Sequence, residues 1–367
     1  MARVTILALI ACLGMAAGPA PAAQPSADPV RIAQAQNATV GLIAGDAGST
    51  DTRIAADIAA VADDGDKLRI LPILGHGSVR NIADLIYLKG VDVAIVHADA
   101  LTQTMQRDAI PREGEIQYVA KLFQEEVHVI AQQNVSSLKD LSGKPVEAGG
   151  SGSGTELTAT TLFDALHIAP NLMHDDPARA LERLRRGEVA AAIVIGGRPV
   201  PSLQGIEPGT GLHFLPVPLN AQIVDTYLPT SLDHQHYPNL VPPGPPIDTV
   251  AVGAVLVTLA TPADSARAKR VDRFIDTLFD RFDQFREPGF HPKWQEVNLS
   301  AQIPGWTRYP EAVTLLRKQD QANEANLRNA FDAYLNQSGQ KASGMTSERR
   351  EAVFRDFLHW RERHSGP

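Results

Sequence analysis

The sequence predicts an α/β protein with two lobes that form a hinged clamshell, followed by a helical C-terminal extension. Three observations support this prediction. Short β-branched runs alternate with amphipathic helical stretches from Thr39 onward, which is typical of α/β folds. Glycine-rich and serine-rich loops separate strands from the helices that follow them. Two further apolar stretches, at residues 116–132 and 249–259, could each carry the chain between two such α/β units.

The first α/β series forms a βαβαβ unit, which indicates a parallel sheet with a ligand site at the carboxyl ends of its strands. Its expected elements are strands at 39–43, 68–73 and 92–96 and helices at 51–62, 79–88 and 99–106.

The second series follows two strand-like runs at 116–123 and 127–132. Its expected elements are strands at 145–148, 189–195 and 212–217 and helices at 155–167, 178–186 and 219–228. A Pro/Gly-rich stretch at 237–246 then precedes a strand at 249–259 and a helix at 263–285. We therefore expect lobe 1 to comprise residues 38–125 and 248–310, and lobe 2 to comprise residues 126–247.

Residues 311–367 are expected to form the helical extension. A charged helix runs to Asn336, a Gly/Ser break spans 338–344, and a last amphipathic helix starts at Ser347. Its apolar side comprises Phe354, Leu358 and Trp360. Such a side usually packs on its own protein, and contact with a partner or with a membrane surface is the alternative.

The N-terminus is typical of an exported protein. Residues 1–23 contain Arg3, an apolar run and a small-residue end, which indicate a secretory signal peptide. Residues 24–37 are expected to be a disordered leader. The alternative is a lipoprotein anchored at Cys12, the single cysteine of the 367-residue chain. Export with no disulfide predicts a bacterial periplasmic location.

Composition excludes two classes of partner. The formal net charge is −8, and no clustered Lys/Arg stretch occurs outside the predicted helix 178–186, so nucleic acid is not expected. After the predicted signal peptide, the longest apolar run is Val250–Val257, which has the length of a strand, so we expect no membrane span.

The most informative segment runs from Pro145 to Phe163, where a strand enters a Gly/Ser loop that opens onto a helix. Glycines allow backbone N–H groups to face a ligand, hydroxyls add donors, and the helix N-terminus favours an anion. A flexible solvent loop is the alternative. The candidate ligand-binding residues here are Ser151, Ser153, Gly154 and Thr155.

Two similar loops occur earlier, and three such loops suggest one small anionic ligand held between them. The candidates are Gly48, Ser49 and Thr50 in the first loop and Gly77, Ser78 and Asn81 in the second. Ser49, Thr50 and Ser78 could instead cap the helices that follow them.

Three more candidates follow predicted strands. Gly196 and Arg198 come after strand 189–195, where the Arg198 guanidinium could grip a carboxylate, although an ordinary surface arginine is the alternative. His97 follows strand 92–96 and could donate to the ligand or to a backbone carbonyl.

Several motifs in this order resemble the TAXI-type solute-binding proteins of TRAP transporters, which are related to type II periplasmic binding proteins. The matching segments are residues 45–50, Gly77–Ile82, Val91–Asp99, Gly152–Thr155, Gly196–Pro199, Tyr237–Pro238 and Val250–Val257. The resemblance implies the type II fold and capture of a small organic acid, such as glutamate or a C4/C5 dicarboxylate like 2-oxoglutarate, for a TRAP-type membrane permease.

Other functions remain as alternatives or lack support. A periplasmic sensor with the same clamshell could signal to a membrane partner through the C-terminal helices. No nucleophile elbow, phosphate-binding loop lysine or dinucleotide fingerprint occurs, so we expect no enzyme and no cofactor. His234 and His236 have the spacing of a metal pair but lack accompanying ligands in the sequence, so we expect no metal.

Overall fold

The computed structural model describes residue 35 and residues 37–106, 116–337 and 345–364. The predicted signal peptide, most of the predicted leader and Cys12 lie outside these residues. A single ten-stranded mixed sheet with helices forms the body, which confirms the α/β prediction. The main path of the sheet runs in the order β2-β1-β3-β10-β4-β7-β5-β6.

The strands are β1 Thr39–Ile43, β2 Arg69–Ile73, β3 Val93–His97, β4 Ile116–Ala131, β5 Pro145–Glu147, β6 Asn171–Met173, β7 Ala191–Gly196, β8 His213–Phe214, β9 Leu228–Leu232 and β10 Ile247–Leu259. The α-helices are α1 Thr50–Ala62, α2 Ser78–Tyr87, α3 Ala98–Gln106, α4 Gly154–Leu166, α5 Pro177–Arg185, α6 Pro201–Gln204, α7 Ala221–Val224, α8 Ala266–Asp280, α9 Pro310–Gln337 and α10 Ser347–His364. Three 3₁₀ helices span Leu138–Leu141, Phe282–Arg286 and Pro292–Glu296.

Most predicted elements agree with the structure within about two residues, and four expectations were wrong. The strand expected at 212–217 is only the two-residue β8. The runs at 116–123 and 127–132 form one 16-residue strand, β4. Glu125 and Glu126 interrupt the apolar pattern there, yet both are buried, so the strand continues. The predicted helix 219–228 is only α7, because residues 225–227 form a turn and the chain enters β9 at Leu228. The helix expected at 263–285 is α8 followed by a 3₁₀ turn.

The sheet has two halves with separate hydrophobic cores, as a two-lobed fold requires. In the first half, β2, β1 and β3 run parallel, and β3 pairs antiparallel with the C-terminal part of β10. In the second half, β6, β5 and β7 run parallel, and β7 pairs antiparallel with the C-terminal part of β4.

The long strands β4 and β10 run through both halves. Phe123 packs in a core of the first half and Val127 in a core of the second. Val252 packs in the second half and Ala254 in the first. The predicted lobe ranges remain a proposal, and this division of the cores would place the return crossing inside β10, at residues 252–254.

Buried polar contacts fix elements within each half. In the first half, the Asp57 carboxylate accepts a hydrogen bond of 3.0 Å from the Trp294 indole, and Trp294 stacks on Phe285 with ring centroids 4.2 Å apart. In the second half, Arg183 forms a 2.7 Å ion pair with the fully buried Glu147. A buried carboxylate is stable only with such partners.

The C-terminal extension is a helical pair with a small core of its own. Phe331 of α9 contacts Phe354 and Phe357 of α10, with ring centroids 5.0 and 5.5 Å apart. The apolar side of the last helix therefore packs on its own chain through Phe354. The side chains of Leu358 and Trp360 lie outside the described part of this helix.

Candidate ligand-binding site

The three Gly/Ser loops meet at one place, where the two halves of the sheet face each other. The first follows β1, the second follows β2, and the third follows β5 in the other half. Because the carboxyl ends of parallel strands share an edge, each half presents its loops on one side. The loops lead directly into α1, α2 and α4, so three helix N-termini converge from both halves.

The second and third loops are in direct contact. The Arg80 backbone N–H donates to the Gly152 carbonyl at 3.3 Å. A Cβ atom added at Gly77, which has φ +95°, would lie only 2.8 Å from Ser153 Cα. A Cβ added at Gly154 would lie 2.4 Å from His97 Nδ1. Glycine is therefore required at Gly77 and Gly154 for the halves to approach this closely.

A second contact joins the first loop to the end of β7. The Gly197 N–H donates to the Thr50 hydroxyl at 3.0 Å. The neighbouring Gly196 also lies against Thr50, since a Cβ there would be 3.3 Å from Thr50 Oγ1. Thr50 and Gly196 are thus brought together across the two halves.

A third contact centres on Asp99, at the start of α3. Its buried carboxylate accepts hydrogen bonds from the Thr158 hydroxyl at 2.6 Å and from the Tyr227 hydroxyl at 2.9 Å. Both donors belong to the second half, and burial together with the Asp99 charge raises the pKa of Tyr227 far above its usual range. With the other contacts, this one shows the halves closed on each other.

The predicted serine hydroxyls have structural partners. Ser49 and Ser153 cap α1 and α4 by accepting from the N–H groups of Thr52 and Glu156, at 3.2 and 3.1 Å. The capping alternative is therefore present at both positions. Ser78 does not cap α2, because its hydroxyl accepts from the His97 N–H at 2.9 Å.

The remaining loop candidates differ in their surroundings. Gly48 and Ser151 are exposed at loop tips, and Thr155 is half-buried beside Gly149. The Asn81 amide joins β1 to β3 by donating to the Ala44 carbonyl at 2.6 Å and the Ile95 carbonyl at 3.2 Å. Their role in ligand binding remains a prediction.

The third loop already binds a carboxylate of the chain itself. The Gly152 N–H donates to Glu156 Oε2 at 2.5 Å. This contact shows that a backbone N–H group of the loop can bind a carboxylate, as the sequence of the loop suggests.

Arg198 is engaged by the protein and is not an isolated surface residue. Its N–H donates to Glu126 Oε2 at 2.8 Å, and its guanidinium lies 3.4 Å from Glu126 Oε1 and also donates to the Ser231 carbonyl. The same Glu126 carboxylate accepts from the buried Lys293 ammonium at 2.7 Å. Lys293 also pairs with Glu296 at 2.8 Å, so two carboxylates face the two cations and the Arg198 charge is already matched.

His97 belongs to a buried group that the sequence analysis did not assemble. Its Nε2 lies 2.7 Å from Glu125 Oε2, so its partner is a carboxylate and not a backbone carbonyl. Asp51, in the first turn of α1, completes the group, and its ligand atoms and those of His97 and Glu125 all lie within 4.8 Å of one another.

The electrostatics of this group reflect its burial. Burial by itself would lower the pKa of His97, but hydrogen bonding to Glu125 and the Glu125 charge raise it to about 9. Burial and the Glu125 charge raise the pKa of Asp51 well above its ordinary value. Among the described residues, Asp51 Oδ1 and His97 Nδ1 have no hydrogen-bond partner.

Asp51, Asp99, Glu125 and Tyr227 were missed as site residues. Asp51 and Asp99 each stand in the first turn of a helix after a β-strand, which was an available signal. Glu125 and Tyr227 are far from the loops in sequence, and only the sheet topology brings them to the site.

Comparison with protein families identifies the chain. A model described as the NMT1-like family matches residues 42–305, which contain both halves of the sheet and every residue of the site. The chain belongs to the NMT1-like family. The TAXI-type resemblance is more specific than this match and remains a hypothesis for this family member.

Solved structures with a similar fold include several binding proteins. The periplasmic binding protein BugD is 13% identical, with 83% of this chain and 98% of that chain covered and a TM-score of 0.47. An ancestral arginine-binding protein bound to arginine is 13% identical, with coverages of 69% and 99% and a TM-score of 0.41. The effector-binding domain of QuiR in complex with shikimate is 16% identical, with coverages of 65% and 93% and a TM-score of 0.39. Within the described residues, no helix is both long and apolar enough to cross a membrane.

Proposed function

We propose that this NMT1-like protein is a periplasmic solute-binding protein that closes its two halves on a small organic acid. One observation carries the proposal. Polar loops and three helix N-termini from both halves meet in a buried interface, where Asp51, Asn81 and His97 retain polar atoms without partners among the described residues. An interface that is buried, polar and incompletely hydrogen-bonded suits a ligand better than a permanent core.

An acid is favoured by the helix N-termini. Each carries roughly half a positive charge, and the first-turn N–H groups that Ser49 and Ser153 do not cap can donate charge-assisted hydrogen bonds to a carboxylate as water is excluded. The Glu156 carboxylate on the Gly152 N–H is an internal example. The proposed ligands are therefore glutamate or a related C4/C5 dicarboxylate such as 2-oxoglutarate.

The proposal includes delivery of the acid to a TRAP-type permease. The motif order that resembles the TAXI-type receptors supports this step, and the NMT1-like match covers the same part of the chain. Catalysis is not proposed, because the polar residues of the site make contacts that join the halves, as Asp99 and Thr50 do.

Calorimetry tests the proposal directly. We expect saturable binding of at least one acid when the purified chain is titrated with glutamate, glutamine, 2-oxoglutarate and succinate, each at the same pH and ionic strength. Thr155→Val removes a hydroxyl at the start of α4 and should weaken that binding roughly tenfold, the usual value of a charge-assisted hydrogen bond. Thr160→Val, on the exposed face of the same helix, is the matched control and should bind as the unmodified chain does.

Absence of heat with every acid, with no shift in melting temperature, would contradict the acid-receptor function. Unchanged affinity in Thr155→Val would remove Thr155 from the site without affecting the rest of the proposal.

A further inference from the structure

Three ionisable side chains from three elements converge where the halves meet. Asp51 comes from the first turn of α1, His97 from the end of β3, and Glu125 from β4. Their exposed fractions are 6%, 6% and 2%. One carboxylate oxygen of each acid and one ring nitrogen of His97 all lie within 4.8 Å of one another. Such convergence of buried charged groups is costly unless something binds them together.

The nearby buried carboxylates are each satisfied by protein donors. Asp99 receives two hydroxyls, and Glu126 receives a lysine and an arginine. Asp51 differs, because its Oδ1 has no partner among the described residues. His97 Nδ1 also lacks one, although its other nitrogen faces Glu125. His97 faces the group through Nε2, whereas its Nδ1 lies against Gly154, so Asp51 Oδ1 is the unpartnered atom that faces the proposed site.

We propose that Asp51, His97 and Glu125 bind one divalent transition-metal ion, of the Zn²⁺ or Mn²⁺ class. One imidazole nitrogen and two carboxylate oxygens suit these ions, whereas Ca²⁺ usually takes six to eight oxygen ligands. Three protein ligands leave at least one coordination position for a further group.

Only a small movement is needed to fit the ion. Metal–ligand distances of about 2.0–2.2 Å hold three ligand atoms roughly 3.3 Å apart in a tetrahedral site. His97 Nε2 and Glu125 Oε2 are 2.7 Å apart, so they would separate slightly if both coordinate the metal. Asp51 would approach through rotation of a short side chain.

The metal site would explain how an acid binds beside two buried carboxylates. His97 lies against Gly154 at the N-terminus of α4, so the metal would lie next to the third loop. Its positive charge would offset Asp51 and Glu125, and a carboxylate of the solute could take the open position. This step rests on the proposed function, whereas metal binding itself does not.

Metal binding can be measured without any solute. Chelator-treated full chain would be titrated with Co²⁺, followed by visible absorption, and with Zn²⁺ by calorimetry. We expect one ion per chain. Asp51→Asn and Glu125→Gln preserve side-chain size, and each should weaken binding by more than about 100-fold, because even outer partners of metal ligands are worth 10–100-fold. Circular dichroism melting curves would confirm that both variants fold.

His236→Gln is the matched control. His236 faces the single carboxylate of Asp233, with Nδ1 2.8 Å from Oδ1, and belongs to the His234/His236 spacing seen in the sequence. The affinity of the His236→Gln variant for Co²⁺ and Zn²⁺ should equal that of the unmodified chain. Failure of the unmodified chain to bind either ion would overturn the proposal. Binding that survives in Asp51→Asn and Glu125→Gln, or that is lost in His236→Gln, would also overturn it.

The two proposals fail separately. Glutamate and 2-oxoglutarate would be titrated into metal-loaded and chelator-treated chain. Metal binding with no response to any acid would support the metal site and contradict the proposed acids. A different result would overturn the metal site: the chain takes up no metal, it binds glutamate, and Asp51→Asn abolishes the glutamate binding. The Asp51 and Glu125 carboxylates would then be assigned to binding the ammonium group of glutamate.

Discussion

His128 shows how a single residue links burial to pH-dependent stability. It is fully buried in β4, with Nε2 2.8 Å from the Tyr237 hydroxyl and Nδ1 3.2 Å from the Val194 carbonyl. The Val194 carbonyl can only accept, so Nδ1–H donates to it, and Nε2 of the neutral ring accepts from the Tyr237 O–H, whose oxygen also accepts from the Val200 N–H. This arrangement requires a neutral ring. Burial lowers the pKa of His128 to about 4.

The lowered pKa predicts loss of stability in acid. An unfolded histidine has a pKa near 6.5, so between about pH 6.5 and pH 4 the unfolded chain takes up a proton that the folded chain does not. The stabilising contribution is complete above pH 6.5 and is lost as the pH falls towards 4. The difference in the pKa of His128 between the unfolded and the folded chain corresponds to about 3 kcal/mol of unfolding free energy.

Urea unfolding of the unmodified chain and of His128→Gln between pH 7.5 and pH 4 measures this contribution. The unmodified chain should lose more free energy of unfolding than the variant, by about 3 kcal/mol over that range. Parallel stability curves for the two proteins would show that His128 does not titrate as its burial implies.

For single residues, the sequence predicted which residues lie near the site better than it predicted their hydrogen-bond partners. The loop residues near Ser49, Ser78 and Ser153 were found because glycine, serine and a following helix are adjacent in the chain. Their hydroxyls nevertheless serve as caps or bind His97, which is a local choice that the spacing left open. Glu125 could not be found in this way, because its partners come from other strands.

Gly154 is the point where an element of one half touches the other half. It starts α4, and a Cβ there would lie 2.4 Å from His97 Nδ1 and 2.8 Å from Ser78 Oγ. Neither neighbour can retreat freely, since both are buried and Ser78 accepts from the His97 backbone. The N-terminus of α4 therefore packs closely against the first half.

Gly154→Ala should prevent complete closure and weaken binding of the acid identified by calorimetry. Overpacking of this kind costs about 1–3 kcal/mol, or roughly a 5- to 150-fold loss of affinity. The fold of each half should persist, because alanine suits the start of a helix.

Gly150→Ala is a control from the same loop, since an added Cβ there meets nothing within 4 Å and the backbone has no positive φ. It should bind the acid as the unmodified chain does. Equal affinities for Gly154→Ala and Gly150→Ala would contradict a site that depends on close approach of α4.

Elements that depend on local patterns agree with the sequence, and the exceptions depend on distant pairing. Helices α1, α2, α4 and α5 begin within one residue of their expected positions, as capping residues and apolar periodicity suggested. Strand β9 was not predicted, because its identity comes from pairing with β10. Strand β4 was divided in two, because the buried partners of Glu125 and Glu126 cannot be read from β4 itself.

For the whole molecule, alternation of strands and helices was sufficient to predict an α/β protein with two halves. The sequence also indicated that the chain crosses between the halves twice, and β4 and β10 are the strands that do so. It could not indicate how closely the halves meet. That closeness follows from glycines at Gly77 and Gly154 and from hydrogen bonds such as Tyr227 to Asp99, which join residues 128 positions apart.

These contacts suggest how a ligand would change the molecule. The groups that form hydrogen bonds between the two halves can bond to water instead when the halves separate. A solute that binds both halves would favour the closed arrangement by its differential affinity. We therefore expect the two halves, which are joined by β4 and β10, to close on a small ligand.

Distance measurements between spin labels test this claim most directly. Labels would be attached at Lys89→Cys and Arg185→Cys, two exposed positions in opposite halves, in a chain whose single cysteine is replaced by Cys12→Ser. Pulsed electron paramagnetic resonance would then be recorded with and without a saturating amount of the acid found by calorimetry. We expect a broad distance distribution without ligand that narrows to a single shorter distance with ligand. A distribution that is the same in both conditions would contradict closure on a ligand.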